Sequence, residues 1–191
     1  EIYEEHQVRD GTFTRQDGTQ QDIEFMYSSE GTYLEDEKAT GFMKYYKGDN
    51  YAFVAMLPNE GVSVSDYIAF LNGGSLNALL TNPQYVTVNT SIPKFETEYD
   101  VEMSETLKGM GMIEAFDRQH ADFQGLGASA GGNIYISRVL HKTFLSVGEK
   151  GTRAGAATVV QMGCKSAQPQ KSKEVYLDRP FVYMLIDCKN N

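Results

Sequence analysis

The sequence lacks the features that mark several classes of protein. No apolar run is long enough to cross a membrane as a helix, so we expect no membrane association. No cluster of Lys or Arg occurs and the formal net charge is -9, which argues against broad nucleic-acid binding. The two cysteines, Cys164 and Cys188, fit no metal spacing and are expected to be free thiols. No pair of His residues has metal spacing either, so neither a metal nor another cofactor is predicted.

What the sequence does contain favours one globular domain. Hydrophobic residues make up 41% and aromatic residues 12% of the 191 residues, which suits a packed core rather than disorder. No internal repeat and no linker divides the chain. A turn at 47–50 between two apolar runs predicts a β-hairpin. Ser63 or Ser65 is expected to cap one helix and Ser75 another, and residues 85–92 alternate as a half-exposed strand does.

One stretch, residues 135–166, organises the chain. Tyr135 to Val147 predicts a strand, and because few of its positions are polar, both faces are expected to be buried. Residues 148–151 then form a polar turn. The stretch is therefore expected to lead from a buried strand, through a turn, into the segment that begins at Thr152.

The segment from Thr152 to Val160 is unusual for a loop, because it holds small residues and a single charge, Arg153. With the two-residue period of a strand, one face carries no charge and grows larger along the chain. That face consists of Thr152, Ala154, Ala156, Thr158, Val160 and Met162. Arg153 falls on the opposite face, so the segment can enter a packed sheet without burying an unpaired cation. Taken alone, the pattern also fits a small-residue linker or an ordinary buried strand.

The residues around this segment resemble the hinge of the serpins, a family of protease inhibitors. The resemblance is carried by Ser137, His141, Lys142, Glu149, Gly151, Thr152 and the run Ala154, Gly155, Ala156 and Ala157. Arg153 completes the hinge and departs mildly from the family, because inhibitors commonly have Glu at this position. It implies an α+β serpin fold with three β-sheets, surrounding helices and an exposed reactive-centre loop at about 148–173.

The resemblance extends in order along nearly the whole chain. Residues 56–61 resemble the family's strand followed by a Leu-Pro turn, and Ile92 to Phe95 resembles its passage from one sheet to another. A complete serpin is longer, so residues 1–191 are expected to form the C-terminal portion of a single serpin domain. The remaining N-terminal half is the partner that this implies, because the segment alone would leave strand edges and an apolar face exposed.

The implied function is suicide inhibition of a serine protease, not catalysis. The target protease would form an acyl-enzyme with the residue before the broken bond, and the loop would then insert into the central sheet. The family spacing counted from Gly151 places the reactive bond between Lys165 and Ser166. A Lys at this position suits a trypsin-like protease with an acidic specificity pocket. Because the following loop is long, Met162, Lys171 and Lys173 remain candidates for the residue before the bond.

The resemblance also implies three residues that control opening of the sheet. Lys94 and Glu149 are expected to form an ion pair that holds the hinge closed. His141 is expected to be a hydrogen-bonded core residue where the central sheet parts. An extracellular location is implied as well.

Two other classes of protein remain open. A non-inhibitory serpin would use the same fold as a carrier or chaperone, although its hinge would usually hold bulky, charged or Pro residues. An unrelated extracellular α/β adhesion domain would need neither the ordered motifs nor the loop. The Gly-x-Ser-x-Gly pattern at 127–131 is not expected to supply a nucleophile, because a polar loop precedes it and a strand follows.

Overall fold

A computed structural model describes residues 3–127, 129–152 and 172–189. Eleven strands, three α-helices and two short 3-10 helices occur among these residues. The strands are β1 (Val8–Thr14), β2 (Gln20–Glu30), β3 (Thr32–Glu35), β4 (Ala39–Tyr45), β5 (Tyr51–Pro58), β6 (Val88–Pro93), β7 (Phe95–Glu102), β8 (Leu140–Gly148), β9 (Gly151–Thr152), β10 (Lys173–Tyr176) and β11 (Val182–Asp187). The helices are α1 (Val64–Phe70), α2 (Gly73–Thr81) and α3 (Ser104–Gly109), with 3-10 turns at Glu5–Gln7 and Glu114–Phe116.

The strands form three sheets, which confirms the fold class predicted from the sequence. Their orders are β1-β2-β6-β10, β11-β5-β4-β3 and β7-β8-β9. We call these the first, second and third sheets. The chain divides into two compact units, one of residues 1–95 and 146–191 and the other of residues 96–145.

The larger unit is built around the second sheet, whose central strand β5 is buried from Ala52 to Pro58. One face of the sheet carries Val54 and Met56 and packs against Tyr67 of α1 and Leu79 of α2. The opposite face carries Lys44, which pairs with Glu30 of β2 in the first sheet. Because each fully buried aliphatic side chain contributes about 1.5–3 kcal/mol, this strand is a major source of the unit's stability.

Local sequence explains how these elements begin and end. The β4–β5 hairpin is confirmed, and Gly48 and Asp49 adopt positive φ angles of 86° and 55° in its turn. Ser63 caps α1 by accepting a hydrogen bond from the backbone N–H of Asp66. The prediction that Ser75 caps the next helix is wrong. Asn72 caps α2, and the Ser75 hydroxyl instead accepts from the Asn72 backbone N–H, a reciprocal capping box.

Two further predictions about strands are wrong. β6 begins at Val88 and is largely buried, not half-exposed, because β2 and β10 flank it and the buried Thr90 hydroxyl donates to the Ser28 carbonyl. The strand expected from Tyr135 begins instead at Leu140, and its first five residues are exposed. Only the short β9 lies along its second edge, opposite Val147 and Gly148, so most of β8 has no strand on that side among the described residues.

The smaller unit is held by backbone and side-chain hydrogen bonds around α3. Ser104 is buried at the start of α3, and its hydroxyl accepts from the backbone N–H of Val139 at 3.0 Å. The Met103 N–H donates to the Val139 carbonyl at 2.9 Å. At the surface, Lys142 pairs with Asp100 at 2.6 Å. These contacts fix the chain just before β8.

Close packing at Gly41 leads to a testable prediction. A Cβ atom at Gly41 would overlap the carbonyl oxygen of Ala55 and the Sδ of Met56 on the adjacent strand. We expect Gly41→Ala to lower the free energy of unfolding by about 2–3 kcal/mol, because the second sheet must spread to admit the methyl group. Urea denaturation would measure this change.

Gly31→Ala is the matched control, since no heavy atom lies within 4 Å of a Cβ built at Gly31. Its free energy of unfolding should stay within about 0.5 kcal/mol of the parent value. Equal losses from both substitutions would contradict the packing described for β4 and β5.

Candidate functional site

The candidate site begins where β8 ends. After Gly148, a turn at Glu149 and Lys150 reverses the chain, and β9 pairs antiparallel with the end of β8. Only two residue pairs join these strands, Val147 with Thr152 and Gly148 with Gly151. The predicted hinge residues from Arg153 onward lie outside the described residues. The predicted reactive bond and the candidates Met162 and Lys171 lie outside them as well.

Lys94 occupies the centre of the site. It follows β6 directly, and its ammonium nitrogen Nζ lies 3.1 Å from Oε2 of Glu149. The same Nζ lies 2.8 Å from Oε2 of Glu24, a residue of β2 that sequence reasoning missed. The structure therefore brings together the two residues that the resemblance had paired and adds a second carboxylate. That this contact holds the hinge closed stays a prediction.

The charges of this site perturb one another. Hydrogen bonds from the Lys94 ammonium, first to Glu24 and then to Glu149, raise the pKa of Lys94 above its usual value. The pKa of the Glu149 carboxyl is lowered, first by a hydrogen bond from its own backbone N–H and then by Lys94. Lys94 and Glu149 are therefore both charged at neutral pH. Their side chains are 29% (Lys94), 52% (Glu24) and 40% (Glu149) exposed, so solvent screens these interactions.

The backbone of the hinge is also tied to a buried tyrosine. The Tyr3 N–H donates to the carbonyl oxygen of Glu149 at 2.9 Å. The Tyr3 ring is buried, its hydroxyl lies 3.4 Å from the Ser28 hydroxyl, and burial raises the pKa of its phenol. Ser28 in turn donates to Glu30, the partner of Lys44. The turn at Glu149 and Lys150 is thus connected, through Tyr3, to polar side chains that link the first and second sheets.

His141 lies on β8, the strand that leads to the hinge. It is exposed on β8, and its Nε2 is 3.0 Å from the Thr143 hydroxyl. The described residues do not bury His141 as expected, and its role where the central sheet parts stays a prediction. The neighbouring Leu140 and Phe144 are each 52% exposed.

No nucleophile or metal site is assembled from the described residues. Ser129 of the Gly-x-Ser-x-Gly pattern is exposed, and its hydroxyl accepts from the backbone N–H of Gly131. His120 pairs at the surface with Asp117 at 3.0 Å, and these charged contacts raise the pKa of His120. In the described part of the chain, no group of three His, Cys, Asp or Glu side chains is placed to hold a metal ion. No helix in the same ranges has the length and apolarity needed to cross a membrane.

A cavity of about 360 Å³ lies between the second sheet and α2. Its apolar lining comes from β4, β11 and α2 and includes Met43, Tyr45, Leu76, Leu80, Ile186 and Cys188. Cys188 is a free thiol, as predicted. The cavity is large enough for a small apolar molecule.

Comparison with known proteins defines the class to which this fold and hinge belong. Residues 1–191 match the family model for Serpin (serine protease inhibitor), so the chain belongs to the serpin family. It is 33% identical over 171 residues to an uncharacterized serpin-like protein of Methanosarcina acetivorans, a match that covers 88% of this chain and 39% of that protein. The chain thus spans less than half the length of this relative.

Solved structures agree with the family assignment. The chain is similar to the thermophilic serpin tengpin in its native state, with 46% identity and a TM-score of 0.81 over 98% of this chain and 48% of that one. It is also similar to tengpin in its latent state, with 45% identity and a TM-score of 0.76 over 98% of this chain and 49% of that one. A thyroxine-binding globulin complexed with thyroxine shares the fold, with a TM-score of 0.77 and 23% identity over 98% of this chain and 49% of that one.

Proposed function

We propose that this chain carries the hinge and reactive loop of an inhibitory serpin that traps a trypsin-like serine protease. The hydroxyl oxygen of the protease serine attacks the carbonyl carbon of Lys165, and the bond to the Ser166 nitrogen breaks as that nitrogen takes up a proton. The product is an acyl-enzyme joined to Lys165. Insertion of the freed segment into the third sheet, as a new strand beside β8, would hold the protease in this state.

The observation that carries the proposal is the weak attachment of the hinge. β9 is held by two residue pairs, and the neighbouring ion pair is exposed enough that it contributes only about 0–1 kcal/mol. Among the described residues no strand pairs with the β9-side edge of β8 before residue 147, and this is the edge at which an inserting strand would pair with β8. Thr152 to Lys165 in extended form would span roughly 45 Å. The loop therefore has both a place to enter and the length to carry an attached protease away.

The structure bears on the choice of reactive bond. Lys173 begins β10, where it pairs with Val88 of β6, and its ammonium lies 4.7 Å from the centre of the Tyr33 ring. A peptide bond held in a sheet is a poor substrate, because a protease needs a freely extended segment. This favours Lys165 over Lys173.

The carrier function is the second candidate, and the cavity beside α2 favours it. A carrier would bind an apolar ligand between β4, β11 and α2, and the fold is shared with a thyroxine-binding globulin. The uncharged small-residue face of the hinge favours inhibition instead, since a carrier has no need for a segment that can enter a sheet.

A gel-based assay with a trypsin-like protease tests the proposal. We expect a covalent complex that survives denaturation, with cleavage after Lys165. Lys165→Ala should reduce the rate of complex formation at least about tenfold, because the acidic pocket of the protease loses its cation, worth more than about 1.4 kcal/mol.

Lys171→Ala is the matched control, because it removes a cation from the same loop and should leave complex formation unchanged. Cleavage without a complex would favour the carrier. The absence of any preferred cleavage between residues 153 and 171 would count against both candidates.

A further inference from the structure

Lys94 is shared by two carboxylates that belong to different parts of the unit. Glu24 lies on β2, where the adjacent Phe25 pairs with Pro93 of β6, and the Lys94 backbone N–H donates to the Glu24 carbonyl at 2.8 Å. The pairing of β2 with β6 therefore keeps Glu24 beside Lys94 even if the turn that carries Glu149 moves. Glu149 belongs instead to the turn between β8 and β9, which the proposed function requires to move.

We infer that Glu24 is a positioning residue of the hinge, which draws the Lys94 ammonium away from Glu149 and keeps that ammonium paired when Glu149 departs. The assignment of the hinge rests on the proposed function, whereas the sharing of Lys94 rests on the two contacts at 2.8 and 3.1 Å. Glu24 therefore limits the strength of the ion pair that closes the hinge.

The chemistry of the ammonium group supports this role. An ammonium carries three N–H donors, so Glu24 and Glu149 can both accept from Lys94 without displacing each other. Two carboxylates around one cation leave a net negative charge, and each weakens the attraction that the other feels. Glu24 makes the shorter of the two contacts and is the larger cause of the raised pKa of Lys94. Lys150 follows Glu149 and adds a further, more distant positive charge.

Without Glu24, departure of Glu149 would leave the half-buried Lys94 ammonium without either of the carboxylates that it now contacts. With Glu24 present, the Lys94 ammonium loses Glu149 as an acceptor but keeps its contact with Glu24. The cost of releasing Glu149 is lower as a result, and the hinge can close through a specific contact without being locked by it.

Titration of the Glu149 carboxyl by NMR in the intact protein tests the sharing directly, without a protease. Glu24→Gln should lower the pKa of Glu149 by a few tenths of a unit, because Lys94 is then free to pair with Glu149 alone. Glu24→Gln should also lower the pKa of Glu149 in a Lys94→Met background, because it removes the direct repulsion between the two carboxylates. The pKa of Glu149 should fall further when Lys94 is present. Asp22→Asn is the matched control, since Asp22 lies two residues away on the same strand, is exposed and contacts Thr12.

A second titration tests what happens when Glu149 is absent. In Glu149→Gln the pKa of Lys94 should stay raised, and the additional change Glu24→Gln should remove the elevation. The inference is overturned if Glu24→Gln leaves the pKa of Glu149 unchanged or raises it, if the lowering is equal in both backgrounds, or if Asp22→Asn has the same effect. Because no inhibition is measured, a chain that shows the expected titration but forms no covalent complex would overturn the proposed function alone.

Discussion

Thr152→Arg is expected to convert the proposed inhibitor into a substrate. The two-residue period from Thr152 to Met162 places position 152 on the uncharged face, which would turn into the sheet during insertion. A guanidinium on that face would be buried without a partner, which costs several kcal/mol. If even a third of that cost is felt in the transition state of insertion, the rate falls roughly tenfold, and hydrolysis of the acyl-enzyme overtakes trapping.

The ratio of inhibitor consumed to protease trapped measures this effect. Arg153→Glu is the matched control, because residue 153 occupies the opposite face in the same alternation and should change the ratio little. An equal rise for both substitutions would show that the loop does not enter the sheet with the alternation proposed.

Glu149→Lys is expected to accelerate spontaneous insertion of the loop or polymerisation through it. The change would place a second ammonium beside Lys94, where the structure has a contact of 3.1 Å with a carboxylate. Glu24 would still neutralise part of this charge, and all three side chains are exposed enough for solvent screening. We therefore expect a loss of about 1 kcal/mol in the barrier that holds the hinge, or roughly a fivefold faster conversion. Loss of inhibitory activity during incubation at a fixed, moderately raised temperature would measure it.

The charge-reversed pair tests whether the contact itself matters. Lys94→Glu combined with Glu149→Lys restores an ion pair at the hinge but places two carboxylates, at 24 and 94, side by side. We therefore expect a partial rescue rather than a full one, and a positive coupling energy in the double-mutant cycle. A double variant that converts as fast as Glu149→Lys alone would show that Lys94 and Glu149 act independently.

The sequence predicted local features of this fold, such as turns and helix caps, better than it predicted burial. The turn before Tyr51 and the cap at Ser63 were predicted because Gly, Asp and Ser favour these conformations through short-range sterics and hydrogen bonds. The error at Ser75 is of the same short range. Asn72 is the stronger cap, and a Ser three residues later is the reciprocal partner in a capping box.

Burial could not be predicted in the same way, because it depends on which strands lie beside one another. The apolar pattern of β8 suggested a strand buried on both faces, yet Leu140 and Phe144 are half-exposed in this chain. The pattern of 85–92 suggested a half-exposed strand, yet β6 lies between β2 and β10 and is buried. The periodicity of apolar residues shows which face of a strand can be buried. Whether that face is buried depends on which elements pack beside the strand in the folded protein.

The candidate site was likewise predicted only in part. The resemblance paired Lys94 with Glu149, and the two side chains do meet. Glu24 was missed, because its place beside Lys94 follows from the register of β2 against β6, across 70 residues of sequence. An acidic residue within a strand carries no sign of that partner in the sequence itself.

Insertion of the cleaved loop is the central claim, and the thermal unfolding of the protein before and after cleavage tests it most directly. The loop would be cut by a protease that forms no complex, so that any change in Tm reports on this protein alone. Insertion adds a paired strand worth several kcal/mol, and each kcal/mol raises the Tm by about 2–4 °C for a chain of this size. We predict that the cleaved protein unfolds at least about 10 °C higher than the intact one. An unchanged or lower Tm after cleavage would contradict the account.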